Sequence, residues 1–213
     1  MILDIYDDIY DIFPILIVNL LYKLYIITYI TLFLMIQSYE STPQIFITGS
    51  IQKAFGFNSN EMYIRYIFIY GDNHFLISGC DKGETFQNKS SPIEEYTPFD
   101  HPLNLHLKCR SVKGWPKLLL EVWSTDSDNR NNMVGYGMTT VPFKSGFERM
   151  EVSCWRPKGN EMKTYITGIT SEIEDKSIIF SCEEKFGFEV MTTGVVIVQL
   201  DVILKDFEIH GIE

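Results

Sequence analysis

Leu103-Asn104-Leu105-His106-Leu107-Lys108-Cys109-Arg110 alternates apolar and polar side chains without a break. Successive side chains of an extended strand point to opposite faces. Leu103, Leu105, Leu107 and Cys109 therefore share one face, and Asn104, His106, Lys108 and Arg110 share the other. This is the pattern of a strand with one side in a core and one side in water. Residues 195–204 repeat it, with Val196, Val198, Leu200, Val202 and Leu204 on one side and Gln199 and Asp201 on the other. Residues 117–124 (KLLLEVWS) place Leu118, Leu120 and Val122 together. Further strand candidates lie at 45–51, 62–70, 74–79, 133–141, 147–153 and 177–182. Turn-forming clusters separate them: Gly71-Asp72-Asn73, Ser91-Pro92, Gly114-Trp115-Pro116 and Asp126 to Asn132. About eight or nine short strands at this spacing define an all-β antiparallel sandwich or barrel. No long amphipathic helix follows Ser41, and 158–176, the least strand-like stretch, reads as a long loop or short helix.

Composition agrees. The chain has 213 residues, 46% hydrophobic and 22% charged, enough for one domain with its own core. The 15 Phe and 12 Tyr suit a β-rich fold. A formal charge of −10 argues against nucleic acid, whose phosphates need clustered Lys and Arg, and against general attraction to anionic lipid. Cys80, Cys109, Cys154 and Cys182 are widely spaced with no CxxC pair, so they read as small core hydrophobes rather than zinc ligands.

The first 43 residues differ in kind. Residues 15–36 are nearly all apolar and long enough to cross a bilayer. Lys23 and Asn19 interrupt the run, and Asp4, Asp7, Asp8 and Asp11 precede it with no Lys or Arg to orient it. The segment has no basic start or cleavage site typical of a signal peptide. Residues 1–43 thus form a hydrophobic extension with three readings: a membrane segment, a docking arm, or a gene-model artefact upstream of an internal start at Met35. The domain occupies 44–213.

Enzyme motifs are missing. There is no phosphate-binding glycine loop around Gly135-Tyr136-Gly137 and no GxSxG elbow. His101, His106 and Cys109 are near neighbours, but alternation sends His106 and Cys109 to opposite faces, leaving surface histidines rather than a shared metal. No catalytic residue and no cofactor is expected.

Val122 to Gly135 (VWSTDSDNRNNMVG) resembles the calcium loop of C2 domains, in which an acidic residue, a second acidic residue two places on, a third six places later and then a glycine follow a hydrophobic strand. Here those positions are Ser124, Asp126, Asn132 and Gly135. Calcium takes about six to eight oxygen ligands and needs carboxylates for affinity. Two of the three acidic positions are neutral, and in the loop Asn58 to Glu61 only Glu61 is acidic. The expectation is a C2-like antiparallel β-sandwich of about eight strands without a tight calcium site, in which Asp126 and Asp128 build a turn.

Several blocks in order are similar to the B9-domain family. They are Ile47-Thr48-Gly49-Ser50-Ile51 with Gly56-Phe57, His101-Pro102-Leu103-Asn104-Leu105-His106, Gly114-Trp115-Pro116, Val122-Trp123-Ser124 with Asp126-Ser127, Gly135-Tyr136-Gly137, Trp155-Arg156-Pro157, and the end Asp206 to Glu213. The resemblance spans residues 44–213. It implies no enzymatic activity, residence at the ciliary transition zone and basal body within the cytoskeleton, and binding to other B9-domain proteins in the Meckel syndrome complex. Residues 1–43 have no counterpart in the pattern, and 158–176 match it poorly. Gly114, Trp115, Pro116, Trp123, Trp155, Arg156 and Pro157 are the interface candidates, since aromatic residues and Arg dominate binding hot spots. The competing reading packs the three Trp residues into the sandwich ends. Arg156 has two readings, a carboxylate partner inside the domain or one across an interface. The alternative function is a C2-like peripheral lipid-binding module.

Overall fold

The computed structural model describes residues 21–32, 42–59, 61–90, 95–159, 172–173, 176–180 and 189–211. The chain divides into two units, residues 1–42 and 43–213. In the first, residues 21–32 form a helix, α1, whose side chains are all exposed. The hydroxyls of Thr28 and Thr31 donate to the carbonyls of Leu24 and Ile27, each at 2.9 Å, and so satisfy themselves on their own helix. Among the described residues no helix is long and apolar enough to cross a membrane. Residues 1–20 and 33–41, on which the three readings of the extension also turn, lie outside the described residues.

The second unit contains β1 (Gln44–Phe55), β2 (Glu61–Ile69), β3 (His74–Gly79), β4 (Lys82–Glu84), β5 (Asn88–Lys89), β6 (Tyr96–Cys109), β7 (Lys117–Thr125), β8 (Asn131–Thr140), β9 (Gly146–Pro157) and β10 (Val190–Lys205). A four-residue helix, α2 (Ser177–Phe180), precedes β10, and a turn of 3₁₀ helix, Glu208–His210, follows it. The strands run in the order β3-β6-β1-β10-β9-β8-β7-β2-β4, with β5 on β2. Every pairing is antiparallel.

The order follows from where the apolar faces can go. β1 lies between β6 and β10, with Ile47 opposite Leu105 on one side and Val202 on the other. Ile45, Ile47, Leu105, Leu107, Val198 and Leu200 are fully buried. Past Ile51 the strand bulges, and the phase change buries Ala54 instead of Lys53. β7 offers Leu118, Leu120 and Val122 to the same core. The two halves meet because β8 and β9 pair over only Tyr136↔Trp155 and Gly137↔Cys154. There the sheet folds over, and the alternating faces close on each other as a C2-like sandwich. The glycines of Gly135-Tyr136-Gly137 make room for that fold. A Cβ on Gly135 would lie 2.5 Å from Thr193 Oγ1, and one on Gly137 would lie 2.8 Å from Cys154 Sγ.

The structure alters three expectations. Residues 177–180 are helical rather than a strand; Ile178-Ile179-Phe180 is an apolar run without alternation, which periodicity cannot assign. Residues 181 and 182 lie outside the described residues, as does most of 158–176. Among the described residues there are ten strands rather than about eight, because β4 and β5 are too short to alternate visibly. Finally, β7 is covered on both faces. Leu119 turns away from the main core and packs with Met133, Tyr136, Ile173 and Ile179. Glu121, on that outer side, is buried with its Oε1 2.5 Å from Lys176 Nζ, and the Tyr136 hydroxyl accepts the Ile173 N–H at 3.1 Å. Residues 172–173 and 176–180 therefore lie across the outside of β7 and β8. A carboxylate buried there needs its cation, so Lys176 fixes the segment as well as covering the strand.

Candidate interaction surface at the loop end

The β7–β8 connection is built around one carboxylate. Asp126 Oδ1 accepts the N–H groups of Asp128 and Arg130, each at 2.9 Å. The Asp126 N–H donates to the Arg130 carbonyl at 3.0 Å, and Asn129 takes the left-handed conformation at φ 59°, which its short polar side chain tolerates. Asp128 pairs with Arg130 at 2.8 Å, in solvent. The Asx turn expected of Asp126 is formed, with Asp128 contributing its backbone and an exposed pair.

Beside this loop lies a cleft of roughly 330 Å³ between the ends of β1, β7–β8 and β9–β10. Ser124 and Asn132 line it, paired across the hairpin, while Asp126 does not. Asn58 joins them from the β1–β2 connection, Arg156 from β9, and Met191 and Thr192 from β10. Among the described residues that line it, none is Asp or Glu. A calcium site needs carboxylates at this place; this cleft has hydroxyls, amides and a guanidinium. The Arg156 Nε–H donates to Met191 Sδ at 3.3 Å. Glu61, the acidic residue of the neighbouring loop, is engaged by Lys89 at 2.6 Å and by Gln87 at 2.8 Å, and its pairing with Lys89 holds its carboxyl below the usual value. Among the described residues no group of three or more His, Cys, Asp or Glu converges on a metal-sized site.

The remaining interface candidates separate. Trp115, at the other end of β7, is buried. Its Nε1–H donates to the Val141 carbonyl at 2.8 Å, its ring stacks on Phe143 at 4.5 Å, and His74 and Phe207 meet its edges. Its reading as a surface anchor is corrected to a core plug: the indole closes the sandwich end and has no exposed face to offer. Pro116 is buried beside it and accepts the Val141 N–H at 3.0 Å. Gly114 is exposed, but its role is local. Its φ is +81°, and its carbonyl accepts the Gly71 N–H at 2.8 Å. Trp123 and Trp155 are half-buried on the outside of β7 and β9. Trp123 stacks with Tyr63 at 6.3 Å, with Arg65 over both rings and 3.2 Å from Glu84. Trp155 tilts against Tyr136 at 6.0 Å. Arg156 and Pro157 are half-buried at the rim.

One pair escapes sequence reasoning. His74 Nε2 lies 3.4 Å from Cys109 Sγ, and that thiol donates to the Ser111 carbonyl at 3.0 Å. Both side chains are buried. Burial lowers the imidazole's pKa and raises the thiol's, so both stay neutral near pH 7, and nothing there forms a reactive thiolate. Only the β3–β6 register, His74 opposite Cys109, brings them together, and no local pattern announces it. Cys154 is buried as well, its thiol pushed up to about 12.

An antiparallel sheet folded on itself, with its alternating faces closed on each other, is a C2-like β-sandwich. The family model described as "Ciliary basal body-associated, B9 protein" (B9-C2) matches residues 45–203. The chain belongs to this B9 family. Similar curated proteins include B9 domain-containing protein 2 of Danio rerio, 30% identical, and of Homo sapiens, 27% identical; each match covers 80% of this chain and 98% of the relative. B9 domain-containing protein 1 of Mus musculus is 23% identical over 80% of this chain and 88% of that protein. Among solved structures, a C2 domain of a plant extended synaptotagmin 1 aligns with a TM-score of 0.40 and 10% identity, covering 78% of this chain and 97% of that one. The family's ciliary, basal-body association comes with membership.

Proposed function

We propose that this chain is a non-catalytic scaffold subunit of the ciliary transition-zone (Meckel syndrome) complex. In this reading residues 44–213 are the B9 domain and residues 1–43 an extension to it. The domain supports cilium assembly and the ciliary gate by binding other B9-domain proteins. The observation that carries the reading is the family match across residues 45–203, with relatives aligned over 98% of their own length. The half-buried aromatic surface of Tyr63, Trp123 and Trp155 supports it, since such side chains anchor protein interfaces. So does the sealed, neutral state of His74 and Cys109, which gives no nucleophile and base to a substrate.

Affinity purification of the tagged chain from ciliated cells tests the proposal. Recovery of other B9-domain proteins in near-equal amounts is the expected result; a chain that elutes alone overturns it. Peripheral lipid attachment is the second reading, favoured by the exposed Leu, Ile and Tyr side chains of α1. Vesicle sedimentation of the full chain, with and without calcium, separates the two.

A further inference from the structure

The loop-end cleft has the opposite electrostatics to the calcium site whose place it takes, and we propose that it receives a single carboxylate from a partner protein, held by Arg156. This deepens the scaffold reading and rests on it. Ser124, Asn132 and Thr192 line the cleft beside Asn58, all able to donate a hydrogen bond, with no carboxylate among the described lining residues to compete. Arg156 supplies the charge. Its Nε–H is spent on Met191 Sδ, a weak acceptor, and no carboxylate pairs with its terminal nitrogens among the described residues. That contact leaves the outer edge of the planar guanidinium, whose two N–H groups match a carboxylate's two oxygens.

The volume, roughly 330 Å³, leaves room for an inserted side chain. The chain's charge of −10 makes a continuous anionic bilayer a poor occupant. One acidic side chain delivered by a docked neighbour adds a single charge, and the rest of that neighbour is screened beyond about 8 Å at physiological salt.

The test is a titration of the ¹⁵N-labelled full chain with N-acetylglutamate, and in parallel with inorganic phosphate, calcium chloride and phosphatidylserine vesicles. Saturable shifts of the Asn58, Ser124, Asn132 and Thr192 amides with N-acetylglutamate are expected. Arg156→Gln should raise the dissociation constant about tenfold, and Arg156→Lys, which keeps the charge but loses the fork, by less. Signals from β1 and β6 report whether each variant is folded, and Arg156→Lys carries the test if Arg156→Gln is not. Absence of saturation, or the same constant in Arg156→Gln, overturns the proposal. So does calcium moving the same amides, or tighter binding of phosphate or vesicles than of N-acetylglutamate. Capture of other B9-domain proteins is measured alongside. Capture that survives in Arg156→Gln while the titration is silent sinks the cleft and spares the scaffold. Titration that succeeds while the wild-type chain captures nothing upholds the carboxylate site and sinks the scaffold.

Discussion

The two ends of the sandwich solve opposite problems. At one end Trp115 is wedged between Phe143, His74 and Phe207, its only polar atom tied to Val141, so apolar surface and hydrogen bond are both accounted for inside the domain. At the other end the strands part around a polar cleft in which the outer edge of Arg156 pairs with no carboxylate among the described residues. A domain can be closed at one end for stability and left open at the other for recognition, and substitutions should divide along that line.

The largest effect is expected from Trp115→Ala, which empties the closed end and should cost about 3–5 kcal/mol, read by urea denaturation. Asn132→Ala, in the cleft, should stay within about 0.5 kcal/mol of wild type in the same assay. An equal loss at both ends would break the comparison. Next comes Gly114→Ala. The residue sits at φ +81°, and a Cβ there would lie 2.6 Å from the Gly71 Cα, so about 2 kcal/mol should be lost in the same assay. Asp126→Ala removes the acceptor for two exposed backbone N–H groups and should cost about 1 kcal/mol. Thermal melts with and without calcium should coincide for the wild-type chain and for the Asp126→Ala variant; a calcium-dependent rise in wild type alone would make the loop a metal site. The smallest effect is on pH. Burial puts the folded His74 pKa below its ordinary value of 6.5, so between the two values the unfolded chain binds the extra proton. This contribution to stability is fully present above the unfolded value and declines as pH falls through about 6.5 toward the folded one. His101, lowered by burial too, adds to the slope. His74→Gln should flatten the decline in denaturation curves taken from about pH 7.5 to 5.5, sharpening the case that acid acts on the closed end.

How much of this is legible in the sequence depends on how local each signal is. The alternation of 103–110 and 195–204 marks β6 and β10 because each has one face in the core and one in water. The pattern of β7 suggests one buried face, because the chain that covers Leu119 and Glu121 comes some fifty residues later. The loop template picks out Ser124 and Asn132, which pair across the β7–β8 hairpin. It does not show that Arg156 joins them, since that depends on the sheet folding between β8 and β9. Trp115 stands out by its residue type, and type alone does not distinguish an indole that plugs a core from one that meets a partner.

The place of β1 also sets a timetable. Its neighbours are β6 and β10, and Ile47 faces Val202, so the first strand of the domain is flanked by the last. Pairings this far apart in sequence close slowly, and during synthesis they cannot close until the C-terminal strand has left the ribosome. Until then Ile45, Ile47 and Ile51 wait with one flank unpaired while the rest of the domain is translated.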